Sequence, residues 1–389
     1  KIFVLLLILA IANYVSCQKE LGMNFQERCE EYGYGYEEHT VTTSDGYILT
    51  MVRIPYAPNT IDQENKEPVY MIHPFSMNPE IYTELGPEDS PAFRIANEGY
   101  DVWINNFRGN SNSRTHQNLD PENDPQYWDF DITDMRFDHF ANIDYILEQS
   151  VYTQVHTFGY SFGGITLAFA MALEPEYFGS RLAEAAILAA PISMAHTDSV
   201  AISSLANFPL YFNTLDFFGV ETMMDNNPLA QFFGGFMCNT FSVFCQGIAE
   251  GLLGEEDPWL NEPGAFLTMI TRGGSGVNTK TAQHFLQSVR TGRVSYYDYG
   301  PAKNMDMYGS EEAPEIPFQN TQTPVALFYG DSDLICDQID PEWYADQVET
   351  SLVSFEFYNA AHLSFVLGKD TSYLDDLIEI YRSYPLSQN

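Results

Sequence analysis

Ser161 lies at the centre of a Gly-Tyr-Ser-Phe-Gly pentapeptide, with Gly159 and Gly163 two residues to either side. The pattern G-x-S-x-G is typical of a sharp turn between a strand and a helix, a nucleophile elbow that presents a serine Oγ above a sheet. The flanking glycines fit this turn because the strand and the helix approach each other closely there. The preceding apolar residues predict a strand and residues 162–173 predict a helix, so Ser161 is the candidate nucleophile.

A histidine that could activate this serine is expected later in the chain. Only three of the eight histidines follow Ser161. His196 and His284 precede the strand-like run that ends at Tyr329, whereas His362 comes just after the last apolar run. In folds that use this elbow the acid comes next along the chain and the histidine last. We therefore interpret His362 as the candidate general base.

An aspartate that could orient His362 is expected after the preceding strand. Asp331, Asp333 and Asp337 all lie in that position. Such a carboxylate would hold the imidazole in one tautomer and stabilise the imidazolium that forms. Spacing alone leaves Asp331 and Asp333 as alternatives.

Two backbone N–H groups are expected to form an oxyanion hole. One follows the nucleophile, at Phe162, and the other comes from a loop after an early strand. The run that ends in His73-Pro74-Phe75 supplies such a loop, and Phe75 is the predicted donor because Pro74 has no N–H. This chemistry requires no cofactor.

The cysteines give no sign of a metal or redox site. None of them forms a C-x-x-C pair, so a zinc site is not expected. A secretory route would permit disulfides, but the spacing does not reveal which cysteines would pair.

Short apolar runs alternate with helical patterns along most of the chain. The runs predicted as strands cover residues 69–73, 102–104, 155–158, 185–190, 325–329 and 353–357. Helical patterns cover residues 137–147 and 162–173, and an Asp45-Gly46 step between two alternating runs predicts a hairpin. This alternation predicts an α/β fold with a mostly parallel central sheet flanked by helices. The candidate site residues all follow predicted strands, and ligands of such sheets bind at those ends.

Composition divides the chain into four predicted segments. Residues 1–17 begin with Lys1 and a short apolar run, the pattern of a cleaved signal peptide. Residues 18–194 and 311–389 form the two parts of the α/β core. Residues 195–310, rich in Phe and Met between two core strands, are interpreted as an inserted helical cap.

The net charge of −37 excludes some classes of partner. Such a surface repels nucleic acid and anionic membranes, so we expect no nucleic-acid partner. No segment after the N-terminal run is long and apolar enough to cross a membrane as a helix.

Several stretches resemble the acid lipases, the family of gastric lipase, lysosomal acid lipase and related steryl ester hydrolases. The resemblance covers Tyr32 to Tyr381 and includes Gly99-Tyr-Asp-Val-Trp-Ile-Asn-Asn-Phe-Arg-Gly-Asn-Ser-Asn-Ser-Arg-Thr-His116. It implies that Asp333 is the acid, since the family's catalytic aspartate stands at that position. The interval between Asp333 and His362 is also similar to the family spacing.

The resemblance further implies an α/β-hydrolase fold with an inserted cap. The implied activity is a serine ester hydrolase, a lipase, that cleaves neutral lipids such as triacylglycerols or steryl esters through an acyl-enzyme. Its implied partner is a lipid–water interface, and its implied location is outside the cell or in a lysosomal, acidic compartment. The alternatives are an esterase for small soluble esters and a non-catalytic lipid-binding protein.

The chain departs from the family pattern at three positions near the candidate site. Pro74 replaces the glycine of the family's His-Gly-Leu loop. Tyr160 and Phe162 replace the histidine and glutamine that usually flank the nucleophile. The backbone donors at Phe75 and Phe162 are expected to survive these changes. A cysteine that would pair with Cys238 in the family's cap disulfide is also missing upstream.

Overall fold

The computed structural model describes residues 23–208, 220–223, 257–262, 265, 269 and 274–388. The predicted signal peptide, 1–17, lies outside the described residues. So does the Phe- and Met-rich stretch 224–256 of the predicted cap. Among the described residues no helix is long and apolar enough to span a bilayer.

Eleven strands are present in the described part of the chain. In chain order they are β1 Glu37–Thr42, β2 Tyr47–Ile54, β3 Pro68–Ile72, β4 Asp101–Ile104, β5 Thr115–His116, β6 His156–Tyr160, β7 Ala185–Leu188, β8 Thr222–Met223, β9 Val277–Asn278, β10 Val325–Gly330 and β11 Leu352–Tyr358. Eight of them form the sheet order β1-β2-β4-β3-β6-β7-β10-β11, and β5 pairs with β2. Strands β8 and β9 form a separate two-stranded sheet.

The central sheet is mostly parallel, as predicted. Strands β1 and β2 form an antiparallel hairpin whose turn includes Gly46, with a φ of 100° that glycine adopts readily. Strand β2 is also antiparallel to β4, whereas every pairing from β4 to β11 is parallel. Since parallel strands need crossover connections, the helices lie between these strands in sequence.

Helices connect the strands and cover both faces of the sheet. They are α1 Phe25–Tyr32, α2 Gly86–Asp89, α3 Pro91–Asn97, α4 Met135–Glu148, α5 Phe162–Leu173, α6 Pro175–Arg181, α7 Val200–Ala206, α8 Thr279–Thr291, α9 Pro301–Tyr308, α10 Ile339–Gln347, α11 Ser364–Leu367 and α12 Tyr373–Ser383. Short 3₁₀ helices lie at Pro79–Thr83, Pro125–Trp128, Ile132–Asp134, Pro258–Leu260 and Phe318–Asn320.

Two hydrophobic cores lie on opposite sides of the sheet. Tyr70 and Ile72 of β3 belong to the core that contains α4 and α5, whereas Val69 and Met71 belong to the core that contains α3 and α12. Successive side chains of a strand point to opposite faces, so the alternation along β3 separates the two cores. Both faces of the central strands are therefore buried.

The last strand differs from the buried strand that its apolar run predicts. Within the described part of the chain, strand β11 pairs with β10 alone and forms the edge of the sheet. Val353 is 42% exposed and Phe357 is 37% exposed. Apolar composition therefore gave the position of this strand correctly but not its burial, which depends on the strand order.

Candidate active site

The candidate nucleophile lies on a strained turn between β6 and α5. Strand β6 ends at Tyr160 and α5 begins at Phe162, so Ser161 alone makes the turn. Its φ of 52° and ψ of −119° are rare for a residue with a side chain. The Ser161 N–H donates to the Leu188 carbonyl at 2.8 Å, which ties the turn to β7. The serine is 7% exposed.

Close backbone contacts explain the glycines around this turn. A Cβ on Gly163 would lie 2.2 Å from the carbonyl oxygen of Ile72 on β3. A Cβ on Gly159 would lie 3.0 Å from the Cα of Gly164. Any side chain at Gly163 would push α5 away from the sheet and move the Ser161 hydroxyl with it.

A continuous hydrogen-bond chain connects the three distant residues singled out in the sequence. Ser161 Oγ lies 2.9 Å from His362 Nε2, and His362 Nδ1 lies 2.8 Å from Asp333 Oδ2. His362 and Asp333 are each 5% exposed. Since an ionised carboxylate only accepts hydrogen bonds, His362 Nδ1 carries a proton and donates it to Asp333. Nε2 is then free to accept a proton from the serine hydroxyl.

The loop after β10 determines which aspartate contacts His362. Asp333 Oδ1 accepts the N–H groups of Ile335 and Cys336 at 2.9 and 3.0 Å, so the side chain turns inward. Asp331 is exposed, and its carboxylate accepts a hydrogen bond from the Ser332 hydroxyl. Of the two aspartates that spacing left open, the structure brings Asp333 to the histidine.

Two further side chains hold the loop that carries His362. The Tyr160 hydroxyl donates to the His362 carbonyl at 2.8 Å. The Ser364 hydroxyl donates to Asn261 Oδ1 at 2.8 Å and accepts the Ala361 N–H at 3.0 Å. Nothing in the local sequence around these two hydroxyls indicates such a role. Tyr160 was visible only as a departure from the family's histidine, a change that adds a longer donor next to the nucleophile.

The two predicted oxyanion donors lie on neighbouring segments. The Phe75 and Phe162 rings contact each other with centroids 5.4 Å apart, so the loop after β3 packs against the start of α5. Phe162 is the first residue of α5, and the first N–H groups of a helix have no acceptor within that helix. The Phe162 N–H therefore has no acceptor within α5.

The segment that most resembles the acid lipases packs beside this loop. Asn105 Oδ1 accepts the His73 N–H at 3.1 Å. Arg108 is buried and forms ion pairs with Asp45 at 2.6 Å and Asp138 at 2.7 Å. The Asn105 contact holds the segment after β4 against the end of β3, whereas Arg108 connects that segment to the β1–β2 turn and to α4. The segment that resembles the acid lipases therefore supports the loop that carries Phe75.

Asp333, Cys336 and His362 are also close enough to be considered as metal ligands, with donor atoms within 4.8 Å of one another. The Cys336 thiol donates to the Ala189 carbonyl at 3.3 Å. Burial raises the pKa of this thiol well above its usual value, which disfavours the thiolate that metals require. The facing atoms of Asp333 and His362 are already hydrogen-bonded to each other. This chemistry favours proton transfer over metal binding.

Two family models match the chain. One describes a partial α/β-hydrolase lipase region and matches residues 25–85. The other describes the α/β-hydrolase fold and matches residues 67–225. The second range contains the Ser161 turn and the Phe75 loop.

Curated relatives match nearly the whole chain. Lipase 3 of Drosophila melanogaster is 30% identical over 365 residues, 92% of both chains. The gastric triacylglycerol lipase of Bos taurus is 27% identical over 356 residues, covering 90% of this chain and 88% of the relative. Lipase member K of Mus musculus is 29% identical over 358 residues, with the same coverage.

Solved structures support the fold. A crystal structure of a membrane phospholipase A has a TM-score of 0.54 at 16% identity and covers 98% of both chains. Naproxen esterase from Bacillus subtilis has a TM-score of 0.50 at 13% identity, covering 92% of this chain and 95% of the esterase. At these identities the likeness concerns the fold alone. The sequence relatives go further: the chain belongs to the acid lipase family of α/β-hydrolases and is a carboxylic ester hydrolase.

Proposed function

We propose that this protein hydrolyses neutral lipid esters, such as triacylglycerols or steryl esters, through an acyl-enzyme formed on Ser161. His362 is the general base and Asp333 orients it. The observation that carries the proposal is the unbroken Ser161–His362–Asp333 hydrogen-bond chain at the carboxyl end of the sheet. The match to named lipases over nearly the whole chain supports the same reaction class.

Acylation begins when Ser161 Oγ attacks the ester carbonyl carbon. The hydroxyl proton passes to His362 Nε2, and the carbonyl oxygen becomes an oxyanion. Asp333 stabilises the resulting imidazolium through the Nδ1–H bond. As the tetrahedral intermediate collapses, the C–O bond to the alcohol breaks and Nε2 returns the proton to the leaving oxygen.

Deacylation repeats the sequence with water as the nucleophile. His362 Nε2 takes a proton from water while the water oxygen attacks the acyl carbon. Collapse of the second intermediate breaks the bond to Ser161 Oγ, and Nε2 returns the proton to that oxygen. The products are a fatty acid and the free enzyme, and no cofactor is consumed.

The N–H groups of Phe75 and Phe162 are the proposed oxyanion donors. Donors fixed in advance where charge develops stabilise the transition state more than the ground state. The strained turn at Ser161 and the packing of the Phe75 ring on the Phe162 ring fix both peptides before substrate binds.

Aromatic side chains around these donors favour an apolar substrate. Phe162 contacts Phe75 and Phe107 with centroids 5.4 and 5.6 Å apart, and Phe75 stacks on Phe285 of α8 at 5.9 Å. An uncharged acyl chain can pack on these rings without losing hydrogen bonds to water. The net charge of −37 favours neutral over anionic lipid surfaces.

The proposed location of the protein is outside the cell or in an acidic compartment. The relatives include two gastric triacylglycerol lipases. Together with the signal-peptide-like start and the acidic composition, this supports secretion or delivery to a lysosomal, acidic compartment.

Turnover of emulsified triacylglycerol, cholesteryl ester and p-nitrophenyl butyrate between pH 4 and 8 tests the proposal. Ser161→Ala should lower kcat on the order of 10⁵-fold or more, because the nucleophile is gone. Ser180→Ala is the matched control, since this exposed hydroxyl donates only to the Tyr177 carbonyl one helical turn earlier. Unchanged turnover by Ser161→Ala would overturn the proposed nucleophile. Turnover of the soluble ester alone would replace the lipid with small esters.

A further inference from the structure

The loop that carries Phe75 adopts a conformation that it does not prefer. Met77 N–H donates to the Pro74 carbonyl at 3.3 Å and closes a turn over residues 74–77. Inside this turn Ser76 has a φ of 54°, in the left-handed region that disfavours a side chain. Such backbone strain persists only where the surrounding structure holds it in place. Phe75, the proposed oxyanion donor, directly precedes the strained residue.

Two buried residues from elsewhere in the chain hold the far end of this turn, Asn110 through its side chain and Ser275 through its backbone N–H. Asn110 Nδ2 donates to the Met77 carbonyl at 2.8 Å, and Ser275 N–H donates to the Ser76 carbonyl at 2.9 Å. The Ser275 hydroxyl in turn donates to Asn110 Oδ1 at 2.7 Å. Asn110 is 2% exposed and Ser275 is fully buried. We call these two residues the Asn110–Ser275 clamp.

The near end of the turn is held by His73. Its Nδ1 lies 2.8 Å from the Pro74 carbonyl, which can only accept, so Nδ1 is the protonated nitrogen. Nε2 then accepts the Phe107 N–H at 3.3 Å and lies 3.4 Å from Asn110 Nδ2. Burial lowers the pKa of His73 to about 4, consistent with this neutral tautomer. Asn110 therefore contacts groups at both ends of the turn.

We propose that Asn110 and Ser275 are positioning residues for the oxyanion hole, which hold the 74–77 turn so that the Phe75 N–H points at the substrate oxygen. The inference rests on the proposed function and adds two residues to it. Ser275 lies within the predicted cap and Asn110 within the predicted core. Both parts of the chain therefore fix the oxyanion donor.

Kinetics of Ser275→Ala and Asn110→Ala test the clamp. With p-nitrophenyl butyrate, Asn110→Ala should lower kcat roughly tenfold to a hundredfold with little change in KM, somewhat less than the loss of an oxyanion donor. Ser275→Ala keeps the backbone N–H bond to the Ser76 carbonyl and loses the hydroxyl bond to Asn110, so its kcat should fall less. Ser111→Ala is the matched control, because its Oγ lies 3.3 Å from the Ser275 hydroxyl, whereas it is the Ser275 hydroxyl that donates to Asn110. The control should retain the wild-type kcat.

Inhibitor binding separates positioning from general weakening of the fold. A trifluoromethyl ketone forms a tetrahedral oxyanion on the serine, so its Ki should rise by the same factor as kcat falls. The Ki of a matched dialkyl ether, which forms no oxyanion, should stay unchanged. Because the Ser275 hydroxyl acts through Asn110, the double variant should lose little more activity than Asn110→Ala alone.

Hydrogen exchange of the Met77 amide gives a readout that does not need activity. Exchange should be faster in both clamp variants than in the Ser111→Ala control. Wild-type kcat and Ki values in Asn110→Ala would overturn the clamp while leaving the proposed function intact, even if exchange accelerates. A wild-type protein that turns over no ester would instead overturn both the proposed function and the catalytic role of the clamp. Hydrogen exchange at Met77 would then show only whether Asn110 and Ser275 hold the 74–77 turn.

Discussion

A histidine paired with a carboxylate lies at each end of strand β6. At the carboxyl end, His362 lies between Asp333 and the hydroxyl of Ser161. At the amino end, His156 lies between two carboxylates, with Glu184 2.8 Å from Nδ1 and Glu67 3.1 Å from Nε2. Both imidazoles are buried. The two rings differ in their second partner, which is the Ser161 hydroxyl for His362 and the Glu67 carboxylate for His156.

That difference separates a base from a structural cation. With a carboxylate on each nitrogen, His156 must donate twice and therefore holds both protons. Burial opposes the charge, but Glu184 and Glu67 outweigh burial and raise the pKa of His156 to about 9. A ring in this state has no free lone pair to accept a proton. On His362, the Nε2 lone pair faces the Ser161 hydroxyl, a neutral donor whose proton it can take.

Among changes to the carboxylate partners of the two histidines, the largest effect is expected when the partner of the proposed base, Asp333, is altered. In Asp333→Asn, the oxygen can still accept from Ile335 and Cys336, but the amide N–H faces His362 Nδ1. The ring must then accept there and carry its proton on Nε2, where it cannot take the Ser161 proton. We expect kcat to fall about 10⁴-fold with the fold retained. The assay is p-nitrophenyl butyrate hydrolysis, with near-UV circular dichroism to check the fold.

Asp331→Asn is the matched control for this variant. It makes the same chemical change two residues away on the same loop, but Asp331 is exposed and contacts Ser332 instead of the histidine. Its kcat should stay within about twofold of the wild type. A larger loss in Asp331→Asn than in Asp333→Asn would reverse the assignment of the acid.

The corresponding change at the amino end should affect stability instead of catalysis. Glu184→Gln turns an amide N–H toward His156 Nδ1–H and leaves a buried cation with one carboxylate. Breaking a buried pair in this way costs about 3–5 kcal/mol of unfolding free energy. Urea denaturation measures the loss, and kcat per folded molecule should be unchanged.

Glu67→Gln tests whether burial sets the size of that loss. The Glu67 side chain is 26% exposed, whereas that of Glu184 is fully buried. Water screens the exposed partner, so the expected cost is about 1 kcal/mol. Equal losses from both variants, or a large drop in kcat from Glu184→Gln, would mean that the two ends of β6 do not have separate roles.

Local patterns in the sequence were sufficient to predict the parts of the site closest to the backbone. Helix α5 spans residues 162–173 as predicted, because its apolar run stops before Pro175. The elbow glycines could be predicted because the G-x-S-x-G pattern already indicates that strand and helix approach too closely for side chains. The strand positions follow from short apolar runs between helices. Each of these features depends on neighbours in the chain.

Contacts between distant polar residues could not be predicted in the same way. Asn110 and Ser275 are 165 residues apart, and nothing in their local sequence connects them. The choice between Asp331 and Asp333 required either the resemblance to the acid lipases or the structure of the loop after β10, which turns the Asp333 carboxylate inward. The edge position of β11 depends on strand order, which apolar composition does not encode. Burial of a polar group is a property of the whole fold.

The pairing of His156 with two carboxylates should also make stability depend on pH. Its pKa is about 9 in the folded protein and about 6.5 in an unfolded chain. A raised folded pKa adds stability that is fully present below about pH 6.5 and is lost as pH rises through about 9. Over that range the loss should total roughly 3 kcal/mol, since each unit of pKa shift is worth about 1.4 kcal/mol. Urea denaturation at pH 6.5, 7.5, 8.5 and 9.5 measures it.

Comparison with His156→Gln isolates this contribution. Burial raises the pKa of the Cys29 thiol to about 12, so the unfolded chain also releases that proton first and stability falls further in alkali. Both proteins share the thiol effect, so the difference between their two curves reports His156. That difference should narrow from pH 6.5 to 9.5. If the unfolding free energies of the two proteins instead changed in parallel with pH, His156 would be neutral in the folded protein. The two histidines would then differ in their hydrogen-bond partners but not in their charge.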